Sequence, residues 1–186
     1  STPAVYNLRV RVTDSQGLTD VASIAITANN NAPTATINSP SSAVLWKVGD
    51  VITFSGSATD NEDGALPPSA LSWSLSMHHC PSNCHTHPIQ DFPGVASGSF
   101  AAPDHEYPSW IELTLSATDS GGLRSTVSLP LNPQTVQLTF QTSPTGLQLA
   151  VGPSTGTAPF TRTVIVGSSH SISAPSPQSF GGQTYQ

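Results

Sequence analysis

Five of the six histidines fall between positions 78 and 105, at His78, His79, His85, His87 and His105. If the segment around them is extended, side chains alternate between two faces, and His85 and His87 then present two imidazoles on one side. Two same-face imidazoles completed by a third from elsewhere are a common way to assemble a zinc or copper site. His79, on the side of Met77, and His105, from a following loop, can complete such a site, which makes His79, His85, His87 and His105 the candidate ligands for Zn²⁺ or Cu²⁺. Two cysteines, Cys80 and Cys84, stand inside the cluster. Bridged, they pin the loop that carries the imidazoles; free, they offer a rival Cys-x3-Cys thiolate zinc site. An even cysteine count in a Ser/Thr-rich, Lys-poor chain fits the disulfide and an oxidising compartment. The plainer alternative is a polar, disulfide-pinned surface loop without metal.

A second constellation is Asp60-Asn61-Glu62-Asp63-Gly64, with Asp119 in an equivalent turn further on. Ca²⁺ takes six to eight oxygen ligands from turns of this kind, so Asp60, Glu62, Asp63 and Asp119 are candidate calcium ligands. The EF-hand spacing is absent and sandwich turns favour Asp, Asn and Gly in any case, so a solvated acidic turn is the alternative. Trp46, Tyr107 and Trp110 are candidates for a sugar-stacking platform, Trp110 because it is out of phase with Ile111 and Leu113. Trp73, in phase with Leu71, Leu75 and Met77, is expected in the core. No Gly-x-Ser-x-Gly elbow occurs, and Glu62, Glu106 and Glu112 form no paired-carboxylate site, so no catalytic residue and no organic cofactor is assigned.

These residues must be positioned by strands. The chain has 36% hydrophobic and 9% charged residues, with 17 Pro and 14 Gly among runs rich in Ser, Thr and Val, a composition that favours short strands and turns. Tyr6, Leu8, Val10 and Val12 alternate with polar neighbours, then Asp14-Ser15-Gln16-Gly17 turns, and Ala22, Ile24 and Ile26 alternate in turn. The same grammar returns with Ile111, Leu113, Leu115 and Ala117, a turn at Asp119, and Val127, Leu129 and Leu131. Asp14 and Asp119 stand 105 residues apart, about the length of one sandwich domain.

The expected fold is therefore all-β, with immunoglobulin-like β-sandwich modules in tandem and truncated modules at both ends. Residues 1–31 are read as the last strands of a preceding module, 32–132 as a complete sandwich, and 133–186 as the start of a third β-rich module. Within the complete module, strands are expected near Thr34–Asn38, Ala43–Lys47, Val51–Ala58, Leu71–His79, Gly98–Ala101, Ser109–Thr118 and Arg124–Leu131. The third module is expected to hold strands at Thr135–Gln141, Gly146–Val151, Phe160–Val166 and His170–Ala174, and to end at Gly181–Gln186 without a closing strand pair.

A net charge of −6 with five Lys plus Arg leaves no basic stripe for a phosphate backbone, which argues against nucleic acid as a partner. No apolar stretch approaches the roughly 20 residues needed to span a bilayer. No signal h-region opens the sequence, so export is expected to be directed from outside it.

The segments Phe54-Ser55-Gly56-Ser57-Ala58-Thr59-Asp60 and Ala117-Thr118-Asp119-Ser120-Gly121-Gly122-Leu123 resemble polycystic-kidney-disease (PKD) type and related immunoglobulin-like modules of secreted bacterial proteins. The segment His78-His79-Cys80-Pro81-Ser82-Asn83-Cys84-His85-Thr86-His87, followed by Ala102-Pro103-Asp104-His105-Glu106-Tyr107-Pro108, is similar to modules appended to PQQ-dependent sugar (glucose/sorbosone) dehydrogenases. The Trp-Asp-Phe-Gly-Asp-Gly run usual in a PKD module is replaced by Trp73-Ser74-Leu75-Ser76. The resemblance implies a secreted, non-catalytic accessory region attached to a sugar-oxidising enzyme. Its expected partners are neighbouring modules of the same polypeptide or identical subunits. The alternatives are a carbohydrate-binding module that attaches to polysaccharide, and a filament subunit assembled by β-strand complementation.

Overall fold

A computed structural model of the chain describes residues 4–186 apart from the side chain of Thr27. Residues 1–3 of the expected N-terminal strand pair lie outside the described residues. The described residues form strands and turns with one short 3₁₀ turn at Pro68–Ala70, and the fold is all-β.

The first hairpin pairs β1 (Ala4–Thr13) with β2 (Thr19–Ala28). Its turn is closed by the Asp14 carboxylate, whose Oδ1 accepts from the backbone N–H of Gln16 and of Leu18 at 2.8 and 2.9 Å. The central strands follow as β3 (Thr34–Ser39), β4 (Val51–Asp60), β5 (Gly64–Ala65), β6 (Leu71–His79), β7 (His85–Pro93), β8 (Ser97–Ala101), β9 (Ser109–Thr118) and β10 (Arg124–Leu131). The remainder supplies β11 (Thr135–Phe140), β12 (Gln148–Val151), β13 (Ser154–Thr157), β14 (Phe160–Ile165), β15 (Ile172–Ser173), β16 (Gln178–Phe180) and β17 (Gln183–Tyr185).

The central strands make two antiparallel four-stranded sheets. One has the order β10-β9-β6-β7; in the other β4 pairs with β3, β5 and β8. Period-2 patterning decides which side chains meet between them. On β4, Ile52, Phe54 and Ala58 point inward; on β6, Leu71, Trp73, Leu75 and Met77; on β9, Ile111, Leu113, Leu115 and Ala117. The Phe54 ring lies 4.7 Å from Trp73 and 4.9 Å from Phe92, centroid to centroid, at tilted and edge-on angles that aromatic pairs favour. At Gly56 the opposite layer packs directly on the backbone, because a Cβ there would stand 2.7 Å from Leu115 Cδ2 and 2.8 Å from Trp73 Cζ2.

Trp46 closes the core from one end. It is fully buried and donates its indole N–H to the Leu131 carbonyl at 2.9 Å. Its backbone also ties the sandwich to the strands that follow: Trp46 N–H donates to Asn132 O, Gln134 N–H to Trp46 O, and Val48 N–H to Val166 O. Ile165, from β14, is 1% exposed and packs in the same core cluster as the central strands. The boundary at 132/133 is thus crossed by both hydrogen bonds and core packing.

Local expectations fail in several places, among them the short strands β5 and β13, for which no strand is expected. Ala43–Lys47 is not a strand but a turn with one bridge, Trp46 to Pro133, because Val44 N–H turns back to Ser41 O and Lys47 N–H to the Asp50 carboxylate. β7 was not expected, since His85-Thr86-His87-Pro88 carries no apolar alternation and its pairing comes from β6 alone. The chain does carry a closing strand pair near its end, the β16–β17 hairpin turning through Gly181 and Gly182, both at positive φ.

Candidate metal centre

The inward stripe of β6 runs Leu71, Trp73, Leu75, Met77 and then His79, so period 2 places an imidazole where the core stripe ends. β7 lies antiparallel beside it with His85 opposite His79 and His87 opposite Met77, and opposed residues share a face. A bulge between Leu75 and Ser76, opposite Gln90 and Pro88, sets this register. His105 comes from the loop between β8 and β9, which is held by Ser169 N–H donating to the Asp104 carboxylate at 3.2 Å.

Four imidazoles therefore gather at one open end of the core. Ring centroids are 5.1 Å apart for His79 and His85, 4.6 Å for His79 and His105, 4.7 Å for His85 and His87, and 5.5 Å for His87 and His105. The ligand atoms of His79, His87 and His105 all lie within 4.8 Å of one another, with His79 buried, His105 half-buried and His87 exposed. Tetrahedral zinc with Zn–N of about 2.05 Å separates its nitrogens by about 3.4 Å, so rotations that move each ring under about 1 Å close the set. His85 stands beside this triad rather than within it.

The protonation chemistry suits a metal. His79 Nε2 is buried and has no hydrogen-bond partner, a costly state that coordination relieves. Burial, reinforced by the neighbouring His105 and His85, lowers the His79 pKa and keeps its ring in the neutral, ligating form. His105 Nδ1 lies 3.1 Å from Glu106 O and His85 Nδ1 3.1 Å from Asn83 O. In the tautomer that donates Nδ1–H to those carbonyls, each Nε2 keeps a free lone pair.

Cys80 and Cys84 are joined as a disulfide and no cysteine is free among the described residues, so the rival thiolate site does not form. The bridge closes the β6–β7 loop, one residue from His79 on one side and one from His85 on the other. Cys80 N–H also donates to Pro108 O at 3.0 Å, fastening this loop to the segment that carries His105. His78 points to the opposite face, where its ring stacks on Trp110 at 5.0 Å and 6° and its Nε2 lies 3.5 Å from Glu112 Oε1.

The acidic turns are laced by hydrogen bonds from nearby donors. Asp60 Oδ1 accepts from the N–H of Glu62 and Asp63, and Asp63 accepts from Ser120 N–H and Oγ–H. Asp119 accepts from Leu123 N–H and Asn30 Nδ2, and Glu62 from Asn31. Asp60, Glu62, Asp63 and Asp119 thus lace two turns and the Asn30–Asn31 linker together, and among the described residues no three of their oxygens converge as a ligand set. The Asp63 N–H is the chief cause that holds the Asp60 carboxyl below its ordinary pKa, against the effect of burial.

The expected sugar platform does not assemble around Trp46, which is sealed in the core with its indole N–H spent on Leu131 O. Trp110 is half-buried with one face covered by His78, and Tyr107 is exposed. Sequence reasoning missed Arg162 and His170, which line a cleft beside His79 with Glu106 and Tyr107. No periodic signal links residues so far apart in the chain. Among the described residues, no helix is long and apolar enough to cross a membrane. Comparison with protein-family models, with curated proteins and with solved structures finds no match in any of the three.

Proposed function

We propose that this chain is a non-catalytic, metal-binding accessory region of a secreted bacterial protein, built on an immunoglobulin-like sandwich related to PKD modules. The observation that carries the reading is the convergence of His79, His87 and His105 at the end of the core stripe, around a buried imidazole nitrogen that lacks a partner. The metal is Zn²⁺ or Cu²⁺, both of which accept imidazole sets. Its role is to fix the β6–β7 loop and the His105 loop against each other, beside the disulfide. Calcium at the acidic turns has weaker support, since N–H and O–H donors already occupy most of those carboxylate oxygens, Asp60 Oδ2 excepted. The disulfide and the resemblance of the His/Cys segment support an extracellular setting, attached to a sugar-oxidising enzyme. Equilibrium dialysis of metal-stripped protein against Zn²⁺ and Cu²⁺ tests the reading. One equivalent bound by the native chain, with affinity at least tenfold weaker in His79→Gln and His105→Gln, supports it; equal uptake by native and variant chains refutes it.

A second reading, assembly through strand complementation, has one observation in its favour. Tyr6, Leu8, Val10, Ile24 and Ile26 share one face of the first hairpin and remain 43–64% exposed, and the hairpin pairs with no other strand among the described residues. Burying such side chains contributes roughly 1.5–3 kcal/mol each, so a neighbouring module or an identical subunit is the expected cover. Concentration-dependent light scattering that Val10→Asp abolishes supports an identical subunit; a monomer at all concentrations excludes it.

A further inference from the structure

Between the His79 end of the sandwich and the β12–β14 strands lies a cleft of about 160 Å³, lined by His79, Glu106, Tyr107, Gly152, Arg162 and His170 among others. A space of that order admits a molecule the size of benzene in an engineered cavity, so the scale is that of a small organic molecule and not of a polymer. Two residues of opposite charge, Arg162 and Glu106, line it without forming an ion pair with each other. Arg162 Nε is buried without a hydrogen-bond partner, while its guanidinium carbon sits 5.5 Å from the centre of the Phe160 ring.

Glu106 faces the same space, yet among the described residues the only cation–carboxylate side-chain pair within 4.0 Å is His78 with Glu112. Arg162 and Glu106 therefore border one cleft without neutralising each other. The fit is to a ligand that supplies an anionic acceptor to one and a hydrogen-bond donor to the other. A carboxylate matches the planar fork of Arg162, and a hydroxyl donates to a carboxylate oxygen.

We infer that this cleft binds a small hydroxy acid, its carboxylate on Arg162 and its hydroxyl on Glu106. The site does not depend on the metal: His79 is a shared wall, but neither charged anchor is a candidate metal ligand. Loss of ligand binding and loss of metal binding are therefore separable.

The test is a titration of metal-stripped, ¹⁵N-labelled protein with lactate, with propionate, which lacks the hydroxyl, and with propane-1,2-diol, which lacks the carboxylate. The expected result is saturable movement of the Arg162 Nε–H resonance and of the amides of Gly152, Ser154 and residues 162–164 by lactate. Propionate should bind more weakly and the diol should leave those resonances in place. Arg162→Met should weaken lactate by at least about tenfold, the scale of one charge-assisted pair, with the rest of the spectrum unchanged. Glu106→Met, which removes the acceptor oxygens, should erase the preference for lactate over propionate. If the Arg162→Met variant loses spectral dispersion, Arg162→Lys replaces it, since it keeps the charge and loses the fork; undiminished lactate affinity in that variant overturns the inference. So does the absence of lactate-induced shifts in the native chain, or lactate binding that is unchanged in a folded Arg162→Met.

Discussion

Replacing Trp46 by Phe separates a core role from a ligand-binding role. The indole is fully buried, and its N–H is bound to the Leu131 carbonyl at 2.9 Å in a buried setting. Phe keeps the aromatic face but removes that donor, leaving a buried carbonyl without its partner at a cost of about 1–3 kcal/mol. The lost ring volume adds to this, since even whole-side-chain truncation of Trp costs about 3–5 kcal/mol, so the total is about 2–4 kcal/mol. For a chain of this size each kcal/mol lowers Tm by about 2–4 °C, which gives a fall of about 4–16 °C. Urea unfolding followed by tryptophan fluorescence, paired with thermal scans by circular dichroism, reads both quantities. The loss should also loosen the β11–β14 strands, because Gln134 N–H and Asn132 O bind the Trp46 backbone, and amide exchange at Gln134 and Val166 should quicken with it. A stability change below about 0.5 kcal/mol, the usual range for surface substitutions, would refute the core assignment.

Further outcomes follow from other positions. Gly56→Ala places a Cβ 2.7 Å from Leu115 Cδ2 and 2.8 Å from the Thr36 carbonyl oxygen, so roughly 3 kcal/mol of destabilisation is expected at the upper end of the overpacking range, measured by the urea midpoint. The Cys80–Cys84 bridge closes a short loop and contributes roughly 2 kcal/mol on the loop-entropy estimate; thiol titration of the native protein should find none free, and reduction should lower both stability and metal affinity. Burial first, then His105 and His85, depresses the His79 pKa. The stability tied to the neutral ring is then present above the unfolded value of about 6.5 and is lost as pH falls through the lower folded value. Chemical unfolding of metal-free protein should show that acid-side loss, and His79→Gln should flatten it.

Much of the fold was legible because period-2 patterning carries it. Leu71–His79, Ser109–Thr118 and Arg124–Leu131 are strands at the expected bounds, and Trp73 lies in the core. The same patterning placed His79 on the Met77 side. Trp46 was illegible for the opposite reason: it sits in a turn with no alternating neighbours, and its burial depends on Leu131, 85 positions away. β7 was hidden because its pairing with β6 does not need apolar residues. The acidic residues were recognisable as turn formers, but whether their oxygens meet a cation or backbone N–H groups depends on how the Asn30–Asn31 linker and the Ser120 turn fold against them. The cleft of Arg162 and Glu106 depends on how β14 docks, which no local pattern encodes.

X-ray absorption at the zinc edge of protein loaded with one equivalent of Zn²⁺ tests the metal centre most directly. The account predicts three or four nitrogen scatterers at about 2.0–2.1 Å, with the outer-shell signature of imidazole, and the loss of one imidazole in His105→Gln. Sulfur scatterers at about 2.3 Å, an oxygen-only shell, or a spectrum identical in His105→Gln would contradict it.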